Sequence, residues 1–151
     1  MNKPEIIIKE DKLADAILVA QQIPEFENGY KIDDYQNRLH GKNKLILTAY
    51  INNQPVGFKI GYETNTKHHF YSWMGGVLPS SRNLGIAEKL SKFQENWALN
   101  TEYKSILIKT RTKHVAMRKF LNKHFFVKIA TTPFIPEEET RLIYEKQLLQ
   151  K

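Results

Sequence analysis

The sequence predicts an α/β (α+β) protein: a mixed, mostly antiparallel sheet of six to seven strands flanked by helices on both faces. Three observations carry this expectation. Short β-branched or alternating runs and longer stripes at helical spacing follow one another along the whole chain. The polar stretch Asn52–Pro55 separates two such runs as a hairpin turn. The stretch Val77–Leu90, V-L-P-S-S-R-N-L-G-I-A-E-K-L, converts an apolar strand directly into a helix. The 151 residues contain no internal repeat, low-complexity segment or linker, so one domain spanning residues 1–151 is expected.

Glu5–Lys9 holds Ile6, Ile7 and Ile8 and reads as a first strand. Asp11 is expected to cap a helix in which Leu13, Ile17 and Ala20 form one stripe to about Gln22, with Pro24 ending it. Glu25–Tyr30 reads as an acidic, aromatic loop. A second helix runs from Asp33 to His40, with Tyr35 and Leu39 inward and Gly41 as its stop. Lys44–Ile51 and Val56–Tyr62 pair as a hairpin, and His68–Val77 returns as a fourth strand after the polar turn Glu63–Lys67. The central helix is expected from about Arg82 to Asn100 on the stripe Ile86, Leu90, Phe93 and Trp97. Ser105–Thr110 alternates as a fifth strand. Lys113–Lys123 reads as a helix with Ala116, Met117, Phe120 and Leu121 on its apolar side. Phe125–Ala130, a loop Thr131–Thr140 and a last strand Arg141–Leu149 complete the order.

Composition is that of a globular chain, 41% hydrophobic and 26% charged, which excludes disorder as its normal state. There is no cysteine, so disulfides, thiol nucleophiles and thiolate metal sites are excluded. No apolar run reaches the roughly 20 residues of a membrane helix, and the N-terminus does not resemble a signal peptide. These features fit a cytoplasmic protein without a membrane partner. The net charge of +7 favours anionic ligands. Basic residues thicken between Lys104 and Lys128, but they lack the aromatic interleaving of a single-strand nucleic-acid site, so nucleic acid is not the expected partner.

A strand that breaks into a glycine-bearing turn and then a helix leaves backbone N–H groups without partners at the helix start, where the dipole also favours an anion. Gly85 lets a ligand approach the backbone, and Arg82 adds a charged fork suited to phosphate oxygens. The competing expectation is an ordinary connection in which Gly85 only packs closely on the sheet. The turn lacks both GxGxxG and GxxxxGK[ST]. It does match R-x-x-G-x-A directly after V-x-P, as Arg82, Asn83, Leu84, Gly85, Ile86 and Ala87.

That motif, with the element order from end to end, resembles the GCN5-related N-acetyltransferase (GNAT) superfamily. The resemblance implies acetyl-CoA as co-substrate, no metal, and a pantetheine arm lying between a fourth and fifth strand that splay apart. It implies that the diphosphate sits on Arg82–Ala87, that Val77, Leu78 and Pro79 lead the coenzyme in, and that the Val77 amide polarises the thioester carbonyl. Gly75 and Gly76 would mark a bulge there or make room for Trp73. Thr112, Lys113 and Phe120 would complete the coenzyme contacts, with Lys113, Lys119 and Arg111 near the 3′-phosphate and Thr112 as a helix cap. Relatives carry N-x-x-A-x-x-x-Y-x-x-x-G-F in this region. Here Ala116 and Phe125 fit, but Lys113, Phe120 and His124 replace Asn, Tyr and Gly, so the usual proton donor to the leaving thiolate is missing.

An ammonium acceptor needs a general base, and the strands offer Glu63, His68 and His69, with Tyr71 farther along, as candidates among which the sequence does not choose. The loop residues Glu25, Phe26, Glu27 and Tyr30, with Tyr71 and Trp73, are expected to frame a pocket for a cationic amine, from a small molecule or a peptide. The function so implied is acetyl transfer to a primary amine by direct attack in a ternary complex. The alternative is a catalytically weak acyl-CoA sensor of the same fold, and a homodimer is compatible with either.

Overall fold

The computed structural model describes residues 3–26 and 29–148. One seven-stranded sheet runs through it in the order β1-β2-β3-β4-β5-β7-β6. The strands are β1 (Ile7–Glu10), β2 (Lys44–Ile51), β3 (Gln54–Glu63), β4 (His69–Val77), β5 (Ser105–Arg111), β6 (Val127–Thr132) and β7 (Arg141–Gln147). The helices are α1 (Leu13–Gln21), α2 (Ile32–Leu39), α3 (Ile86–Asn100) and α4 (Val115–Lys123). Every neighbouring pair is antiparallel except β4 and β5, which are parallel. No helix of the described residues is long and apolar enough to cross a membrane.

Alternation along β2 sends successive side chains to opposite faces. In β3, Val56, the extra residue at the register shift opposite Ala49 and Tyr50, joins the face opposite that of Phe58, Ile60 and Tyr62. Leu45, Leu47, Ala49 and Val56 pack with Ile86 and Leu90 of α3 and Leu121 of α4. Ile46, Phe58, Ile60 and Tyr62 pack on the opposite face with Ala16, Ile17 and Ala20 of α1 and Tyr35 and Leu39 of α2. The sheet is thus a two-sided core plate with α1 and α2 on one face and α3 and α4 on the other.

Several boundaries differ from the expected ones. The hairpin turn narrows to Asn52 and Asn53, both at positive φ, and Pro55 joins β3 opposite Tyr50 at a register shift. Two positive-φ central residues give the mirror-image turn whose twist suits adjoining strands. Asp11 does not cap α1; it takes a positive φ, Lys12 is the N-cap, and no side chain bonds there. Helix α3 starts at Ile86, four residues after Arg82, because Asn83 and Gly85 adopt left-handed backbone. Phe125 is left-handed and exposed, so β6 begins at Val127 and runs on to Thr132. Ala116 is exposed on α4, whose buried contact is Leu121 with Met117 and Phe120 half-buried beside it. Glu27 and Leu149, expected in the acceptor loop and the last strand, lie outside the described residues.

Candidate active site

The parallel ladder between β4 and β5 is short. It runs from His69↔Ser105 to Ser72↔Ile108 and then stops, while β5 stays paired with β7 as far as Arg111↔Arg141. From Trp73 to Val77, β4 therefore keeps β3 on one side and has no strand on the other. The two strands part there, as the resemblance implies. The bulge lies at Trp73, since Ile60 faces Met74 but Gly61 faces Ser72. It is not at Gly75 or Gly76. Gly76 is small for a different reason: a Cβ would come within 2.6 Å of Ile23 Cδ1, so its room serves Ile23 and Phe26, not Trp73.

Register fixes which backbone groups face the gap. Leu78 N–H donates to Val56 O at 2.8 Å, which makes Gly57↔Val77 a pair that exchanges no hydrogen bonds of its own. The N–H and C=O of Val77 therefore point away from β3 and into the opening, and so do those of Gly75, two residues back. Arg82 Nε donates to the Val77 carbonyl at 3.1 Å. The Val77 N–H is left facing the gap.

After β4 the chain makes a short 3₁₀ turn, Pro79–Ser81, and enters α3 through Gly85 at φ +82°. Among the described residues, the N–H groups of Asn83, Leu84, Gly85, Ile86, Ala87 and Glu88 find no hydrogen-bond partner. A Cβ on Gly85 would meet nothing within 4 Å. Close packing on the sheet is therefore not what glycine provides here. It provides the left-handed turn and open space above a cluster of donors.

Arg82 does not stand free. Its guanidinium reaches Glu25 Oε1 at 3.2 Å, and that hydrogen bond holds the Glu25 carboxyl below the usual carboxylate range. Glu25 is thus tied to the turn instead of facing an acceptor. Phe26 packs edge-on against Phe58 inside the α1 face, with ring centres 6.2 Å apart. Tyr30 and Trp73 do lie together, at 5.2 Å, but Arg38 of α2 covers them: its Cζ sits 4.7 Å from the Trp73 ring centre and 5.5 Å from that of Tyr30. The aromatic surface expected to receive a cationic amine already holds one of the chain's own cations.

Beyond β5, Arg111 and Lys113 share the single carboxylate of Glu139, at 2.8 and 2.6 Å, which ties both side chains down and leaves the trio one positive charge in excess. The Thr112 hydroxyl donates to Thr140 O instead of capping α4, whose N-cap is His114. His114 is a site neighbour that the sequence did not single out. Burial chiefly, then Lys113 and Arg111, push its imidazole below the ordinary range. Phe120 is half-buried on the α3–α4 side of the sheet, its ring 4.3 Å from that of His124.

Glu63 lies at the other end of β3 from the turn, opposite Phe70 where Val77 is opposite Gly57. Asn43 Nδ2 donates to it at 3.3 Å. It does not join the pocket described next. His69 is also engaged: its Nδ1 contacts Ser105 Oγ, which donates to Glu145 Oε2 at 3.1 Å. His68 is exposed at positive φ. Among the described residues, no three His, Cys, Asp or Glu side chains converge on a metal position.

A cavity of about 280 Å³ does open beside the point where the strands part. Tyr62, Tyr71 and Leu107 line it as cross-strand neighbours, joined by Lys109 and Ile143, which are also a cross-strand pair, and by Thr64 and Arg38. Tyr62 and Tyr71 belong to the α1–α2 face, so the cavity approaches the gap from the side opposite α3. Burial pushes the Tyr71 phenol up to about 12, so it stays protonated.

Residues 14–125 match the family described as Acetyltransferase (GNAT) family. No curated protein sequence matches the chain. Among solved structures, Ard1 from Thermoplasma volcanium superposes with a TM-score of 0.79 at 17% identity, covering 96% of this chain and 99% of that one. The ribosomal-protein-S18-alanine N-acetyltransferase from Escherichia coli gives 0.79 at 12% identity over 97% and 96%. An N-acetyltransferase from Staphylococcus aureus Mu50 gives 0.76 at 17% identity over 96% and 99%. At these identities the likeness concerns the fold.

Proposed function

The chain belongs to the acetyltransferase (GNAT) family, whose members are acetyl-CoA-dependent acyltransferases, and on that premise we propose that it acetylates a primary amine by direct attack, with both substrates bound together. The observation that carries the reading is the opened edge of β4 running into a turn of unpartnered amides. Acetyl-CoA supplies an activated thioester together with a diphosphate. The N–H groups from Asn83 to Ala87, at the start of α3, suit that diphosphate, and the bare Gly85 leaves it room. Val77 N–H is the donor for the acyl oxygen or the neighbouring pantetheine amide, where a fixed dipole stabilises developing negative charge. Arg82 is a positioning residue that holds the Val77 carbonyl and Glu25. Leu78 and Pro79 wall the entrance, and Phe120 contributes an apolar surface and no proton.

The acceptor enters from the α1–α2 face through the cavity beside Tyr71. Among the described residues no carboxylate lines that cavity, so the amine loses its proton to water and not to a side-chain base. Catalysis then rests on placement and backbone polarisation. A thiol near the cysteine pKa of about 8.5 leaves without an acid at modest cost.

Initial-rate kinetics with acetyl-CoA and a panel of amines test this. Intersecting double-reciprocal plots, no acetylated protein by mass spectrometry, and a kcat/KM that climbs with pH along the acceptor amine's own titration are expected. Parallel plots or a covalent acetyl-enzyme would overturn direct attack. Tight acetyl-CoA binding with no thiol release across the panel would favour a sensor.

A further inference from the structure

We propose that the acceptor is an amine carrying a carboxylate, and that this carboxylate binds in the cavity between Arg38 and Lys109; the inference deepens the reading above and rests on it. Two cations reach this cavity from different elements, α2 and β5. Neither forms an ion pair among the described residues. Each is held over aromatic rings instead. Arg38 lies on Trp73 and Tyr30 and donates to the Tyr62 hydroxyl at 3.4 Å, and Lys109 Nζ stands 5.2 Å from the Tyr71 ring centre. A ring face orients a cation without neutralising it, and a guanidinium keeps further N–H donors for a planar anion.

Position supplies the second argument. Tyr71↔Leu107 is the last pair but one before the strands part, and Lys109 is the first β5 residue beyond the last pair. A ligand anchored there by its anion presents its other end to the near end of the opening, which begins at Trp73 and where the Gly75 N–H is the first to face it. Val77, about 20 Å along the strand from Tyr71, lies on the coenzyme's side. The volume of about 280 Å³ lies just below the roughly 300–1,000 Å³ of sites that enclose drug-sized ligands, which suits a small acceptor. A purely cationic acceptor meets the opposite situation. Arg38 already covers the aromatic surface it would need, and Lys109 repels it.

A free amino acid and the N-terminus of a peptide with an acidic side chain share this chemistry, and the test separates them. One arm compares glycine, β-alanine, 4-aminobutyrate and L-glutamate with their carboxamides. The other compares Ala-Asp-Ala-Ala amide with Ala-Asn-Ala-Ala amide. KM is read from thiol release, and binding to the protein–CoA complex is read by calorimetry. The carboxylate member of at least one arm should be preferred by about 10- to 100-fold, the scale of a charge-assisted contact. Arg38→Gln and Lys109→Gln should each erode that preference while the acetyl-CoA Kd holds, and Arg38→Lys should recover part of it. Lys109 is exposed, so its variant folds whatever befalls Arg38. No preference in either arm, or an undiminished one in folded Lys109→Gln, overturns the anion site. Failure of the wild type to bind acetyl-CoA overturns the coenzyme reading instead.

Discussion

Replacing Gly85 separates its two roles, because it combines a left-handed backbone with open space. In Gly85→Ala the new Cβ touches no protein atom within 4 Å, so the fold suffers only the cost of φ +82°. For a residue other than glycine that cost is about 1–2 kcal/mol. In a domain of this size it lowers Tm by about 2–8 °C. On the proposed reading the diphosphate fills the open space beside Gly85 and the amides of Asn83 to Glu88, and the Cβ intrudes on it. Each amide bound to a phosphate oxygen is a charge-assisted hydrogen bond worth about 1.5–3 kcal/mol. Displacing the diphosphate from two of them costs about 3–6 kcal/mol, or roughly 10²- to 10⁴-fold in Kd. Gly85→Asn provides the control, since asparagine tolerates left-handed backbone better than alanine. It should lose less Tm and at least as much affinity. Calorimetric titration with acetyl-CoA and with CoA reads the binding, and thermal denaturation reads the strain. Affinity within twofold of wild type in either folded variant would refute the idea that this turn grips the diphosphate.

The imidazole of His114 is pushed down by burial, so below its unfolded pKa near 6.5 the unfolded chain binds more protons and stability falls as pH drops through that value. Thermal denaturation between pH 8 and 5 should show His114→Gln gaining on wild type with acidification; a constant difference would discount the shift. Lys59 faces α3, and burial lowers its ammonium to about 8 against the opposing pull of Glu95. Stability should therefore rise with pH between about 8 and 10.5, and Lys59→Met should show a Tm advantage at pH 7 that fades by pH 10. An advantage independent of pH would assign the effect to packing. Gly61→Ala sets a Cβ 2.3 Å from Phe70 Cε2 and 2.7 Å from Tyr71 O at the β4 bulge. Overpacking of this kind costs about 1–3 kcal/mol or more, so Tm should fall by at least about 2 °C, and an unchanged Tm would contradict the fit described.

What the sequence determined by itself is local. Apolar residues at Ile86 and Leu90 repeat at helical spacing, those at Leu45 and Leu47 at strand spacing, and each period commits its segment before any partner arrives. The strand-to-helix turn at Val77–Leu90 was legible for the same reason: a glycine with unpaired amides on one side is written in consecutive residues. Helix α3 begins four residues later than the sequence predicts because Asn83 and Gly85 are turn residues whose left-handed geometry a hydrophobic stripe does not register.

The surroundings of the site were decided by tertiary structure. Glu25 looked like half of an acidic patch until the fold brought Arg82, 57 residues away, to its carboxylate. Arg111 and Lys113 sat in a basic run until Glu139 came across from the loop before β7. Arg38 and Lys109 meet one cavity only because α2 lies on one particular face and because the register from β3 through β7 turns Tyr62, Tyr71, Leu107 and Ile143 toward it. A one-residue slip in any of those ladders would send the side chains to the other face. Periodicity shows that a strand has two faces. Which charges meet across them follows from register and helix placement, which depend on contacts between residues far apart in the chain.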